Sequence, residues 1–291
     1  MKTYNDVYIE TRRALREAGV VSYGTEARFL LASAADKSVE AFLRDLRLYP
    51  GEEFLLRAKT YLERRLAGEP AAYITGCWEF HGLELEINKN VLIPRGDTEL
   101  VTDAAIAFLK DRPEARVLDL CTGSVCIGLA VAASVPDCRA VLADIDRRAL
   151  MLARRNALRT KLSHRVLVLE ADALAPPARQ LGMFDLIVSN PPYVPTGEIA
   201  GLDSSVRDFE PWTALDGGGD GLDFYRSIFA YWPSALKAGG CLALECGEGQ
   251  SEALRRFGAL AGLREAAVLR DAGGTERALA FRKPENNESE I

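Results

Sequence analysis

The sequence has 291 residues, of which 48% are hydrophobic and 27% charged, so it can build a sizeable core in one large or two modest domains. Its formal net charge is −6, and the first 80 residues are neutral, so no general attraction to nucleic acid or membranes follows. No apolar run approaches 18 residues, the two histidines are far apart, and the six cysteines form no C-x-x-C pair. We therefore expect a cytoplasmic protein with reduced thiols, no membrane segment and no metal site.

The first part of the chain has the apolar spacing of a small helical bundle. Val7, Thr11 and Leu15 recur at helical intervals, and Gly19 follows at a position that suits the glycine just past the end of a helix. Similar patterns continue to about residue 66 and predict about four helices. We interpret residues 1–69 as an all-α domain for binding or scaffolding, because they hold no catalytic constellation.

Residues 70–95 change character and predict a β-hairpin linker. Apolar residues alternate with polar ones over residues 83–87, residues 88–90 favour a turn, and residues 91–93 are a second apolar run. Arg95 follows, just before a helix predicted from Asp97 or Thr98 to about residue 110. On this pattern alone, Arg95 is a surface arginine.

From residue 115 the chain alternates strands and helices, which predicts a doubly wound, mostly parallel sheet. The predicted strands are 115–120, 140–144, 166–170, 184–189 and 241–245, and the helices between them are 124–133, 147–158 and 220–236. A last helix at 251–261 precedes two short strands, 266–270 and 277–282, which favour an antiparallel hairpin at the sheet edge. We assign this α/β domain to residues 96–284 and expect residues 285–291 to be disordered.

Polar residues follow four consecutive strands of this predicted sheet. Gly123 lies in the turn after the first strand, and Asp144 ends the second, 21 positions later, close to the spacing at which an acidic residue meets a ribose hydroxyl. Asp172 and Asn190 follow the third and fourth strands. Each alone is a weak signal, since an aspartate at a strand end also serves as a turn or cap residue. Because carboxyl ends of parallel strands share one edge, the four together predict a ligand site.

The segment Asn190-Pro191-Pro192-Tyr193 combines an amide, a rigid backbone and an aromatic face. A following proline keeps Asn190 extended, and the prolines lack N–H donors, so nearby carbonyls have no local ladder to join. This arrangement suits a planar NH₂ group. The alternative is a proline-rich loop that merely ends a strand.

These motifs resemble those of class I S-adenosylmethionine-dependent methyltransferases that act on an amide or exocyclic amine nitrogen. More closely, the chain resembles the bacterial release factor glutamine methyltransferases, the PrmC/HemK family. The resemblance extends over nearly the whole chain, through residues 68–76, 79–80, 92–99, 119–124, 144, 149–150, 153, 156, 190–193, 210–221 and 271–277.

The resemblance implies a Rossmann-like class I methyltransferase fold behind a helical domain, and methyl transfer to N5 of the glutamine in the Gly-Gly-Gln motif of class 1 peptide chain release factors. It implies a monomer that contacts neither nucleic acid nor membrane directly. The implied S-adenosylmethionine-binding residues are Cys121, Thr122, Gly123, Ser124, Val125, Asp144, Asp172, Ala173 and Asn190. The implied catalytic and substrate-binding residues are Asn190, Pro191, Pro192 and Tyr193, with Arg95 also in the substrate-binding set.

Three positions depart from the family pattern, which usually has glycine at Cys121 and Val125 and proline at Gly96. Val125 is the most serious departure, because a β-branched residue is costly wherever the backbone needs a positive φ. Either the turn avoids that conformation or the affinity for the cofactor is reduced.

Two other functions are compatible with the motifs. A methyltransferase acting on exocyclic amines of DNA or RNA would use the same pocket for a planar NH₂, although no basic segment for a phosphate backbone is present. A non-catalytic protein that binds a translation factor would carry the same fold with a cofactor site disabled at Val125.

Overall fold

The computed structural model describes residues 1–285 and divides into two structural units. The first comprises Met1–Cys77 and Asp203–Phe209, and the second comprises Trp78–Leu202 and the chain from Glu210 onward. Residues 286–291, most of the tail that we predict to be disordered, lie outside the described residues. Within the described part of the chain, no helix is both long and apolar enough to cross a membrane.

Amphipathic helices build the first unit. They are α1 (Tyr4–Glu17), α2 (Tyr23–Ala34), α3 (Val39–Arg44), α4 (Glu52–Leu66) and the short α5 (Ala71–Thr75). Thr3 caps α1 by a reciprocal bond with Asp6. Leu15, Leu31 and Phe42 are fully buried, so the helical spacing of the sequence places one face of each helix in the core.

Strands β1 (Cys77–Phe80) and β2 (Leu83–Glu86) form the predicted hairpin, but the predicted turn position is wrong. The turn is His81-Gly82, where both residues have a positive φ, as a tight two-residue hairpin loop requires. Residues 91–93 form no strand. Val91 and Ile93 are buried, so their apolar character reflects core packing and not strand pairing.

A seven-stranded sheet forms the centre of the second unit within the described residues, in the order β5-β4-β3-β6-β7-β9-β8. Its strands are β3 (Arg116–Leu120), β4 (Arg139–Asp144), β5 (Val166–Glu170), β6 (Phe184–Ser189), β7 (Leu236–Glu245), β8 (Arg264–Arg270) and β9 (Glu276–Arg282). The β3 to β7 pairings are parallel, and β9 is antiparallel to both of its neighbours. The prediction of a doubly wound sheet with an antiparallel C-terminal hairpin is confirmed.

Helices connect these strands and pack against the sheet. They are α6 (Thr98–Leu109), α7 (Cys126–Ser134), α8 (Arg147–Arg159), α10 (Asp223–Tyr231) and α11 (Ser251–Leu260), and the short α9 (Ser204–Arg207) belongs to the first unit. The helix predicted to reach residue 236 stops at Tyr231, since Pro233 cannot continue it, and a 3₁₀ turn follows. The order of strands reverses between β3 and β6, which is where doubly wound sheets open a crevice for ligands.

Candidate active site

The carboxyl ends of the central strands meet at one edge of the sheet. Leu120 of β3 lies opposite Ala143 of β4 and Ser189 of β6, and Asp144 lies opposite Glu170 of β5. A cavity of about 540 Å³ opens there, within the size range of a small-molecule site. The predicted site residues that line it are Cys121, Thr122, Gly123, Ser124, Asp144, Asp172, Ala173, Asn190 and Pro192. Val125, Pro191, Tyr193 and Arg95 do not line it.

A buried carboxylate stabilises the turn after β3 by hydrogen bonds. Asp119 Oδ2 accepts from the Thr122 hydroxyl at 2.6 Å and from the Gly128 amide at 2.9 Å. The Thr122 amide donates to the carbonyl of Ala143 in the neighbouring strand at 3.0 Å. The turn is therefore fixed to both β3 and β4 before any ligand binds.

An acidic rim follows strands β4 and β5. Asp144 Oδ2 accepts from the Gly123 amide and Oδ1 accepts from the Asp146 amide, each at 2.9 Å. Burial raises the pKa of Asp144. Asp172 is exposed and accepts from the Leu174 amide at 2.8 Å, while Ala173 is buried. One carboxylate thus faces the turn after β3, and a second flanks an apolar part of the same cavity.

Asn190 lies directly after β6, with its side chain held at one end only. Its Nδ2 donates to the hydroxyl of the buried Thr98 at 3.3 Å. Within residues 1–285, neither Asn190 Oδ1 nor the Pro191 carbonyl accepts a hydrogen bond. Two adjacent acceptors therefore remain open at the end of β6.

The backbone of a glycine-rich loop, residues 217–221, packs closely against the proline segment. A Cβ on Gly217 would lie 2.7 Å from Tyr193 Cα, and one on Gly221 would lie 2.4 Å from the Tyr193 carbonyl oxygen, so this approach requires glycine. Gln250 Nε2 donates to the same carbonyl at 2.9 Å. Our sequence analysis missed Gly217, Gly221 and Gln250 as supports, since only the folded chain brings them to this segment.

Glu245 is a further residue that sequence reasoning missed. It ends β7, is 2% exposed, and accepts from the Tyr193 hydroxyl at 3.4 Å. Burial is the main reason that its pKa rises to about 7, while donors on Thr98, Tyr193 and Asn190 act in the opposite direction. The available signal was an acidic residue at the end of a buried strand, the same signal that identified Asp144.

Comparisons with known proteins agree with this geometry. The family model of the methyltransferase small domain matches residues 96–201, and that of the PrmC N-terminal domain matches residues 6–76. A release factor glutamine methyltransferase of Geobacter sulfurreducens is 38% identical over 94% of this chain and 94% of its own length. One of Moorella thermoacetica is 38% identical over 95% of this chain and 97% of its own. This chain belongs to the release factor glutamine methyltransferase family.

One solved structure is evidence for the fold only. A methyltransferase from Pyrococcus furiosus superposes with a TM-score of 0.52 at 19% identity, covering 78% of this chain and 99% of that one. The expectation of a class I methyltransferase fold is confirmed.

The departures of this chain from the family's turn pattern fall at strained positions. Cys121 has a φ of 58° and Val125 a φ of 66°, both in the left-handed region. Of the two alternatives for Val125, avoidance of that conformation is therefore wrong. Its side chain is fully buried at the start of α7, so packing offsets a backbone strain on the order of 1–3 kcal/mol.

The strain at Val125 predicts an unusual order of stabilities. Val125→Gly and Val125→Ala lose similar packing, but only glycine relieves the positive φ, so we expect the glycine variant to be more stable by about 1 kcal/mol. At Val131, buried within α7, the order should reverse by a similar amount, because glycine is the poorer helix former. Urea unfolding of the four variants measures both differences. A more stable alanine variant at both positions would contradict the strain at Val125.

Two buried carboxyls of this family member predict a loss of stability with rising pH. Burial raises the pKa of Asp119 and of Glu245 to about 7 from ordinary values of 3.8 and 4.5, with Asp144 and Asp97 adding repulsion. Their contribution to the free energy of unfolding is fully present below pH 3.8 and 4.5 and is lost as the pH rises to about 7, at up to about 4 kcal/mol for Asp119 and about 3 kcal/mol for Glu245. We expect a lower free energy of unfolding at pH 8 than at pH 5.5, and Asp119→Asn should flatten this dependence. A profile that is flat in the wild type would contradict the expectation.

Proposed function

We propose that this protein transfers a methyl group from S-adenosylmethionine to N5 of the glutamine in the Gly-Gly-Gln motif of class 1 peptide chain release factors. The observation that carries the proposal is the pair of acceptors without a hydrogen bond, Asn190 Oδ1 on a residue that lines the strand-end cavity and the carbonyl of the next residue, Pro191. A primary amide presents two coplanar N–H donors, which two fixed acceptors can satisfy. The names of the curated relatives describe the same chemistry.

The donor set around the cavity fits S-adenosylmethionine. The Asp144 carboxylate accepts hydrogen bonds from two backbone amides, and its remaining lone pairs can accept hydrogen bonds from ribose hydroxyls. Asp172 and Ala173, with apolar Ile145 beside them, suit an adenine ring. Residues 121–125 would hold the methionine part. When bound, the cofactor supplies a methyl group on a sulfonium, which is already electrophilic.

Positioning is the main task left to the protein. A glutamine amide nitrogen is a weak nucleophile, because its lone pair is shared with the carbonyl. Asn190 Oδ1 and the Pro191 carbonyl accept hydrogen bonds from its two N–H groups, which orients the nitrogen. The same acceptors stabilise the positive charge that develops on the nitrogen as it attacks the methyl group. Tyr193 packs against the amide plane, and Pro192 keeps the backbone rigid. No strong base is needed before attack, since the proton leaves after the new bond has formed.

The helical unit has a separate task in this proposal. We assign residues 1–69 to docking of the release factor, because the PrmC N-terminal domain model matches residues 6–76 and the segment carries no catalytic constellation. Since release factors act at ribosomes, we expect the enzyme to work in the cytoplasm.

Side-by-side transfer assays test the proposed function. The protein is incubated with radiolabelled S-adenosylmethionine and either a release factor or DNA and RNA. Label in the release factor alone supports the proposal. Label in nucleic acid alone favours the alternative methyltransferase. A folded protein that binds no cofactor in calorimetry would instead favour the non-catalytic alternative.

A further inference from the structure

Glu245 occupies a costly position next to the proposed substrate amide. Leu244 of β7 pairs with Ser189 of β6, so Glu245 and Asn190 are the next residues of two adjacent parallel strands. The carboxyl group is almost completely buried, and within residues 1–285 its Oε2 makes no hydrogen bond of ordinary geometry. No salt bridge neutralises it in that part of the chain.

The strand does not need the Glu245 side chain to hold its backbone in place. The backbone of Glu245 is already fixed, because its amide and carbonyl lie in the strand pairing and the Tyr225 hydroxyl donates to its carbonyl oxygen at 2.9 Å. A buried carboxyl without a cation costs stability, and an uncharged side chain of the same shape avoids that cost. The side chain therefore has to be explained by what surrounds it.

The groups around Glu245 are hydrogen-bond donors of the proposed substrate pocket. The Tyr193 hydroxyl donates to Oε1 at 3.4 Å, and Thr98 and Asn190 lie close enough for their donors to lower the pKa of Glu245. Because Thr98 Oγ1 accepts from Asn190 Nδ2, its own hydrogen is free to point at the carboxyl group. Asn190 Nδ2 is bonded to Thr98, and Thr98 lies beside the Glu245 carboxyl group, so a chain of donors from Asn190 through Thr98 to Glu245 needs only the Thr98 hydroxyl to turn toward the carboxyl group.

This chain decides which way the Asn190 amide faces. The oxygen and nitrogen ends of an asparagine side chain have nearly the same shape, so its hydrogen-bond partners select between two orientations. Above its pKa of about 7, Glu245 is an ionised carboxylate that accepts and cannot donate, so it favours the orientation with Asn190 Nδ2 toward Thr98 and Oδ1 toward the cavity. The opposite orientation would present a donor to the substrate N–H and would lose the acceptor.

We propose that Glu245 is a positioning residue that acts through Thr98 to keep Asn190 Oδ1 directed at the substrate amide. This inference rests on the proposed function for its effect on catalysis, but the orientation of Asn190 is a property of the free protein. The two can therefore be tested separately.

The kinetic test uses Glu245→Gln with Glu276→Gln as its matched control. Glutamine can donate toward Thr98 and Tyr193, so kcat for the release factor should fall roughly 10–100-fold while KM for S-adenosylmethionine stays near the wild-type value. The melting temperature should be unchanged or higher. Glu276 lies on the neighbouring β9 and pairs with Arg255 and Arg270, so its variant should melt lower and keep kcat. An unchanged kcat in Glu245→Gln, or a fall that accompanies partial unfolding, would overturn the proposal.

A double-variant comparison tests the route through Thr98. Thr98→Val should lower kcat by a similar factor. The double variant with Glu245→Gln should have a kcat no lower than that of the less active single variant, since both substitutions break the same chain of donors. Multiplicative losses would show independent roles and would overturn that route.

A spectroscopic test does not depend on the substrate. The side-chain ¹⁵N–¹H signals of Asn190, identified by their loss in Asn190→Ala, should shift in Glu245→Gln and stay in place in Glu276→Gln. Unshifted signals in Glu245→Gln would overturn the proposal even if methyl transfer to the release factor is observed. If the signals shift in Glu245→Gln as predicted but the wild type methylates no release factor, the proposed function fails and the positioning role stands.

Discussion

Asn190→Ala should lower kcat for release factor methylation by roughly 100- to 1,000-fold, with little change in the Kd for S-adenosylmethionine. The variant removes Oδ1, one of two open acceptors for the substrate amide, and leaves the Pro191 carbonyl alone to orient the nitrogen. Asp144 and the turn after β3 are untouched, so the proposed cofactor contacts survive. Steady-state kinetics and calorimetry measure the two effects.

Asn156→Ala is a suitable control for the loss of a buried asparagine. Asn156 is fully buried in the second unit, whereas Asn190 is half-buried, and the Asn156 amide bridges α8 to the Glu86 backbone of the hairpin, at 2.7 and 2.9 Å. Its variant should melt at a lower temperature and keep kcat below that temperature. Near-normal turnover by Asn190→Ala would contradict the proposed mechanism.

Arg95→Ala should destabilise the fold by about 3 kcal/mol. Arg95 pairs with Glu210 at 2.5 Å, and the Glu210 side chain is only 1% exposed and also accepts from the Ile93 amide. Removing the guanidinium leaves that carboxylate buried without a cation. Burial already raises the pKa of Glu210, and the nearby Arg95 opposes this effect, so the unpaired acid would take up a proton more readily. Urea unfolding at neutral pH measures the loss.

The double variant Arg95→Met/Glu210→Met separates structure from substrate binding. Apolar side chains of similar length replace both charges, so most of the lost stability should return. If Arg95 also binds substrate, as the family resemblance implies, the double variant stays defective in KM for the release factor. Arg95→Ala with wild-type stability would contradict the structural importance of the pair.

The fold was predictable from local patterns along the chain. A short apolar run between turn residues predicts a buried strand wherever it occurs, so β5 and β6 were predicted to the residue. The polar ends of parallel strands share an edge by geometry, so the sequence alone predicts that Gly123, Asp144 and Asn190 lie near one cavity, as they do.

The supports of the site were less predictable, because they depend on contacts distant in sequence. Residues 91–93 resemble a strand but pack as irregular core backbone, and the hairpin turns earlier, at His81-Gly82. Glu245 follows Asn190 by 55 positions, and only the pairing of β6 with β7 makes them neighbours. The positive φ of Val125 also depends on how tightly the turn is held by Asp119 and Thr122, which no local pattern reports.

Mass spectrometry of the release factor tests the central claim most directly. The purified factor is incubated with this protein and S-adenosylmethionine, digested, and sequenced through its Gly-Gly-Gln loop. The account predicts a mass gain of one CH₂ unit on the glutamine of that loop, dependent on the cofactor and lost with Asn190→Ala. An unmodified glutamine after incubation with folded, cofactor-binding protein would contradict it.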